Sequence, residues 1–272
     1  MADKLFFSYG RDEYVKYVLK VKEYLGKEGF RVFFDKEQLE VGRDWSLKLE
    51  IGIEANDKFI FFITPHSCRH DGFCRKEISM AMYCQKEILP ILLKEHKPPL
   101  LICDLQYLDM LFLSKAQKES EQLFEERMQE LIGALKGERK FAFKEEQKKV
   151  YDALQPIDFT QDFARHKRFV GREWVKDEVD KWIQKYKNSR VLWITADAGY
   201  GKSAIACHLS DAHPDVIGIH FCSYNYPSKN DPRNVIKTLA YHFQTQIDGY
   251  ANEIAGVDKS QENIYELYKS LI

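Results

Sequence analysis

Along the first half of the chain, short unbroken apolar runs alternate with stretches in which apolar residues recur at helical spacing. That alternation predicts a parallel sheet wrapped by helices. Lys4–Tyr9 (KLFFSY) and Arg31–Asp35 (RVFFD) predict strands, separated by a helical repeat over Asp12–Leu25. A loop over Lys36–Asp44 leads to a helix from Trp45 to about Ala55. Lys58–Thr64 (KFIFFIT) is nearly all apolar, which predicts a central strand covered on both faces. A helix over Gly72–Gln85, a strand at Ile88–Leu93 and an irregular apolar edge over Pro98–Leu113 follow. The charged amphipathic stretch Gln117–Lys136 closes the unit.

Residues 137–168 read as a linker with one helix, Lys144–Leu154, and a break at Pro156. A second α/β pattern begins near Phe169. It predicts a helix over Trp174–Lys185, a strand at Arg190–Thr195, a glycine loop with a helix over Lys202–Leu209, a strand at Val216–Phe221 and a helix over Pro232–Gln246. There is no internal repeat and no low-complexity segment.

Composition narrows the function classes. Hydrophobic residues make up 44% and aromatics 14% of 272 residues, enough for real cores. The net charge of -1 gives no electrostatic pull toward nucleic acid or anionic membranes. No apolar run reaches membrane-spanning length, and the N-terminus lacks a secretory signal pattern. The cysteines at 68, 74, 84, 103, 207 and 222 form no CxxC pair and no His–Cys ligand spacing. They read as reduced, mostly buried thiols of a cytoplasmic protein.

In a doubly wound sheet, ligands sit where the carboxyl ends of the strands and the following loops converge. Ser8–Arg11, Asp35–Trp45 and His66–Glu77 all fall on that edge. Phe73 and Glu77 lie four apart on the predicted helix, so ring and carboxylate share one face. Proximity to the helix N-terminus favours the ionised carboxylate.

The segments FFSYGRDE (6–13), FFDKEQLEVGRDW (33–45), FIFFITPHS (59–67) and FCRKEI (73–78) resemble the successive boxes of a TIR domain. The resemblance covers about half the chain and keeps the boxes in order. It implies a flavodoxin-like parallel sheet with flanking helices over residues 1–136. An aromatic residue followed four positions later by a glutamate is similar to the catalytic helix of NAD-cleaving TIR domains, so Glu77 takes the catalytic role by position. Tyr9, Gly10, Arg11, Glu40, Trp45 and Phe73 fall where NAD is contacted in that family. One carboxylate suffices chemically, because nicotinamide in NAD carries a positive charge and leaves as a neutral base. The competing expectation is a TIR domain that serves only as an assembly module, since fold alone does not fix function.

ADAGYGKS at 196–203 sits between a predicted strand and a predicted helix, the context of a phosphate loop. Gly199 and Gly201 let backbone N–H groups curl round a phosphate, Lys202 reaches the outer phosphates, and Ser203 ligates magnesium. FVGRE at 169–173 resembles the segment preceding the loop in STAND-type NTPases of the NACHT group. Residues 169–272 thus resemble an incomplete P-loop α/β domain that holds ATP or ADP with Mg2+. No later strand offers the aspartate that hydrolysis needs, so ATPase activity is not assigned to it. The combination is the arrangement of an immune or defence receptor, self-associating through its TIR domains. A sensor region is expected beyond residue 272.

Overall fold

A computed structural model describes residues 3–34, 51–69, 72–114, 120–138, 145–166, 171–185, 190–254, 257 and 263–272. Its centre is a five-stranded, all-parallel sheet: β1 Lys4–Ser8, β2 Arg31–Phe33, β3 Lys58–Ile63, β4 Glu87–Leu92 and β5 Leu108–Asp109. The strand order is β2-β1-β3-β4-β5. The chain moves outward from β1 to β2, then returns to pair β3 on the other side of β1. The topological switch point therefore lies between the carboxyl ends of β1 and β3, the crevice in which open α/β sheets bind ligands.

Side chains alternate across the sheet with a period of two, and each face has its own core. Leu5, Phe7, Ile60, Phe62 and Ile91 pack against α1 (Val15–Lys27) and α3 (Ser120–Leu135). Phe6, Phe59, Phe61, Ile63 and Ile88 face the other way, against α2 (Phe73–Tyr83). The Phe6 ring stacks on Phe33 at 5.2 Å and on Phe59 at 5.4 Å, so offset aromatic stacking helps set the order of the three strands. β3 is buried along nearly its whole length, as a central parallel strand must be.

After the sheet the chain is helical: α4 Glu145–Leu154, α5 Thr160–Arg165, α6 Glu173–Lys185, α7 Lys202–Ala212, α8 Pro232–Gln246, α9 Tyr250–Glu253 and α10 Ile264–Leu271. Asp231 caps α8 by accepting from Arg233 N, and Pro232 occupies the first turn, where no donor is lost. The last helices form a small core of Leu154, Ile236, Ala240, Tyr241, Ile254, Leu267 and Leu271.

The expected strands at 190–195 and 216–221 are corrected by the structure. Among the described residues neither forms, and residues 171–272 hold no strand. Their apolar character is real, but a parallel strand needs hydrogen-bonded neighbours and covered faces. Val191 is 67% and Trp193 81% exposed, with no strand beside them. Phe221 instead packs edge-on against Phe159 and Phe163, and Val216 and Ile219 join the same core on the α2 side of the first sheet. The second region is thus a helical layer rather than a partial α/β domain.

Candidate functional site

Ser8 ends β1 and Glu77 lies one turn into α2, and the fold brings them together at the switch point. The Ser8 hydroxyl donates to Glu77 Oε2 at 2.5 Å. Both side chains are buried, Glu77 with only 8% of its surface exposed. A carboxyl group this dry needs hydrogen-bond partners, and the hydroxyl at the end of β1 provides one. The Cys74 thiol, one turn earlier on α2, donates to Tyr9 O at 3.3 Å and ties the helix start to the same loop.

The crevice floor is a seam between the loops after β1 and β3. Thr64 Oγ1 donates to Asp12 Oδ2 at 2.6 Å, and Asp12 Oδ1 accepts from Tyr14 N at 3.1 Å. Ser67 closes the turn after β3, its hydroxyl donating to Phe62 O at 2.7 Å and accepting from Thr64 N at 2.9 Å. Gly10 lies in this seam. A Cβ there would stand 2.9 Å from each of Asp12 Oδ2, Ser67 N and Thr64 Oγ1, so only a glycine lets the loops close.

The remaining NAD-contact residues distribute unevenly. Tyr9 is 6% exposed and its ring stacks on Phe34 at 4.7 Å, which gives it a core role and closes that ring face to a ligand. Phe73 is 53% exposed at the start of α2, with the Lys76 ammonium 5.2 Å over its ring. Arg11 is exposed beside Gly10. Glu40 and Trp45 lie outside the described residues. Ser8, Asp12, Thr64 and Ser67 were not singled out by sequence reasoning. Their signal was a small polar residue closing an otherwise apolar strand, visible at Ser8 and Thr64 but not decisive alone.

The second predicted site forms its loop and helix without the strand before them. Gly199 and Gly201 adopt φ of +83° and +80°, a left-handed geometry costly for other residues, and α7 begins at Lys202. Lys202 Nζ donates to Ala196 O at 2.6 Å and Asp197 O at 2.9 Å, curling the loop around its own ammonium. Arg172 donates to Tyr200 O, and its Nη1 would lie 3.0 Å from a Cβ on Gly201. Lys202 and Ser203 are exposed at the N-terminal end of the helix.

One further cluster has metal-ligand composition. Cys103, Asp104 and His242 bring their ligand atoms within 4.8 Å of one another. Burial pushes Asp104 up to about 7, with nearby Asp158 adding to the effect, and pushes His242 down to about 4. His242 Nδ1 accepts from Ile219 N at 3.3 Å, so Nε2 carries the ring proton and turns it toward Asp104 Oδ1, 3.9 Å away. A metal would need that Nε2 lone pair, so the trio is a buried polar contact between the two regions. All six cysteines are free, and burial raises Cys68 to about 11 and Cys207 to about 12. Neither is a thiolate nucleophile near neutral pH. Among the described residues, no helix is long and apolar enough to cross a membrane.

Two family matches accompany this geometry. Residues 5–127 match the TIR domain. Residues 172–271 match the family Nephrocystin 3, N-terminal.

Proposed function

Because this chain is a TIR domain followed by a Nephrocystin 3 N-terminal region, we propose that its first region cleaves NAD+ with Glu77 as the catalytic residue. The observation carrying the proposal is the buried Glu77 carboxylate, held by the Ser8 hydroxyl at the switch point of the sheet. In the reaction the bond from ribose C1′ to the pyridinium nitrogen breaks, and its electron pair leaves with nicotinamide, which departs neutral. The ribose becomes an oxocarbenium-like cation, and the Glu77 carboxylate offsets its charge. A water then adds at C1′ and passes its proton to Glu77, giving ADP-ribose. A ribose hydroxyl or adenine nitrogen in place of water gives a cyclic product.

The rest of the crevice serves binding. Phe73 supplies a half-exposed ring for the nicotinamide, and Arg11 a cation for a phosphate. Gly10 keeps the loops after β1 and β3 close enough to form one floor. In the second region, the loop 196–203 holds the phosphates of ATP or ADP through its backbone N–H groups and Lys202, with Ser203 toward Mg2+, and governs how copies of the TIR domain assemble. Self-association through these domains then sets activity, so nicotinamide release rises more steeply than in proportion to protein concentration.

Incubation of the full chain with NAD+, as wild type and as Glu77→Ala, tests the reading. Free nicotinamide from the wild type alone is the expected result. Equal release from both proteins overturns the assignment of Glu77, and release from neither, also after crowding, leaves the chain an assembly module.

A further inference from the structure

The helix that carries Glu77 is clamped to the helix that follows the phosphate loop. Arg75, two residues before Glu77 on α2, is 6% exposed. Its Nε donates to Cys68 O at 3.3 Å, in the loop after β3. Its Nη1 donates to the backbone carbonyl of Asp211 and lies 3.7 Å from Asp211 Oδ1. One turn further along α2, the Ser79 hydroxyl is shared between Arg75 O at 3.1 Å and Asp211 Oδ2 at 3.3 Å. Asp211 stands in the last turn of α7, where carbonyls lack helical partners and a cation is favoured. One buried guanidinium therefore satisfies the end of α7 and braces α2 against the β3 loop at the same time. A buried charge paired this way tolerates no half-measures: moving either helix strips its partner of compensation.

The other end of α7 is the phosphate loop. Lys202 and Ser203 open the helix, and its 11 residues place them about 16 Å from its far end. In the present arrangement the Lys202 ammonium is held by the carbonyls of Ala196 and Asp197, and Arg172 by that of Tyr200. A phosphate entering the loop must draw Lys202 off those carbonyls, which re-sets the loop and the first turn of α7. A short helix transmits such a change as a unit, because its side chains are packed: Ile205 and Cys207 are buried, with Cys207 in the same core as Cys74 and Ile78 of α2.

We propose that Arg75 and Asp211 are a positioning pair that couples phosphate binding at loop 196–203 to the setting of the Glu77 helix. The proposal rests on the nucleotide reading of that loop, and it makes nucleotide occupancy a regulator of the carboxylate held against Ser8. By linkage the coupling is a free energy between two sites, with α7 as the shared element.

Hydrogen–deuterium exchange of the full chain, with and without Mg-ADP, tests it without any NAD assay. Binding of Mg-ADP is measured in parallel by calorimetry. In the wild type, Mg-ADP changes the exchange of peptides covering 73–83 by about threefold or more. In the double variant Arg75→Met, Asp211→Asn, which leaves no uncompensated charge, Mg-ADP still binds while the α2 response falls below about 1.5-fold. Should that variant not fold, Ser79→Ala gives a partial loss of the same response. Lys202→Ala abolishes both binding and response. Wild-type binding with unchanged α2 exchange overturns the proposal, as does a double variant that responds like the wild type. Absence of Mg-ADP binding to the wild type overturns the loop reading and the pair with it, and leaves the assignment of Glu77 to its own nicotinamide assay.

Discussion

Phe59–Ile63 and Val191–Ile194 are runs of the same kind, each a strand-length stretch rich in branched and aromatic residues. The first is fully buried in the middle of a five-stranded sheet, paired on both sides and covered on both faces. The second is exposed at every position, with Trp193 at 81%. Intrinsic preference is equal in the two; the environment is not. A parallel strand is stable only as a member of a sheet, so a run becomes a strand where neighbours with matching registers already stand. Val216–Phe221 illustrates a third outcome. Its apolar side chains find burial against Phe159 and Phe163 without any ladder, and the run stays irregular.

The contrast gives a large expected difference in stability. Phe61→Ala empties a fully buried site in β3 and is expected to cost about 3–5 kcal/mol. Trp193→Ala removes an equally large apolar side chain from an exposed position and is expected to stay within about 0.5 kcal/mol. Denaturant melts of both variants measure it. A comparable loss from Trp193→Ala would mean that the second run is covered in solution, and the contrast between the regions would collapse.

A smaller effect tests the seam at the site. Gly10→Ala puts a methyl 2.9 Å from the Ser67 backbone nitrogen and from two hydrogen-bonded side-chain oxygens, so the loops after β1 and β3 must part. The expected cost is about 1–3 kcal/mol, read from the same melts. A neutral result would show that the two loops do not close over one another.

The smallest effect concerns the contact between the regions. Asp104 ionises near 3.8 when unfolded and near about 7 when buried. Folding therefore favours its protonated form, and its contribution to stability is full below about pH 4 and is lost as pH rises toward 7. His242 works in the opposite sense, since burial depresses it to about 4: its contribution is full above about 6.5 and is lost on acidification. Asp104→Asn removes only the first effect. Relative to wild type, the variant is expected to gain about 1–2 kcal/mol between pH 5 and pH 6.5. A difference that does not vary with pH would mean that water reaches Asp104 and the two regions do not bury it.

The sheet was legible because its signals are local and repeated. KLFFS, RVF, KFIFFI and EILPIL each carry the apolar continuity of a covered strand, and the helices between them carry helical spacing. Three helices of the second region, α6, α7 and α8, were legible for the same reason, whereas α9 and α10 were not. Less legible were contacts between distant parts of the chain. The Ser8–Glu77 bond spans 69 positions and the Arg75–Asp211 carbonyl bond 136, and neither has a periodicity to betray it. The same limit explains Tyr9. An aromatic residue at a strand end reads as a ligand platform until the position of Phe34, stacked on its ring, is known. It also explains the missing strands, since whether a run has sheet neighbours is a property of the fold and not of the run.

Catalysis by this site would depend on the charge of Glu77 rather than on the mere presence of a side chain there. Glu77→Gln preserves shape and can still accept from Ser8, but it cannot offset a cationic ribose. The decisive measurement is the rate of nicotinamide release by Glu77→Gln relative to wild type, at saturating NAD+ and equal protein concentration. A fall of about 10²-fold or more with an unchanged melting temperature is expected. A Glu77→Gln protein that releases nicotinamide at the wild-type rate would contradict it.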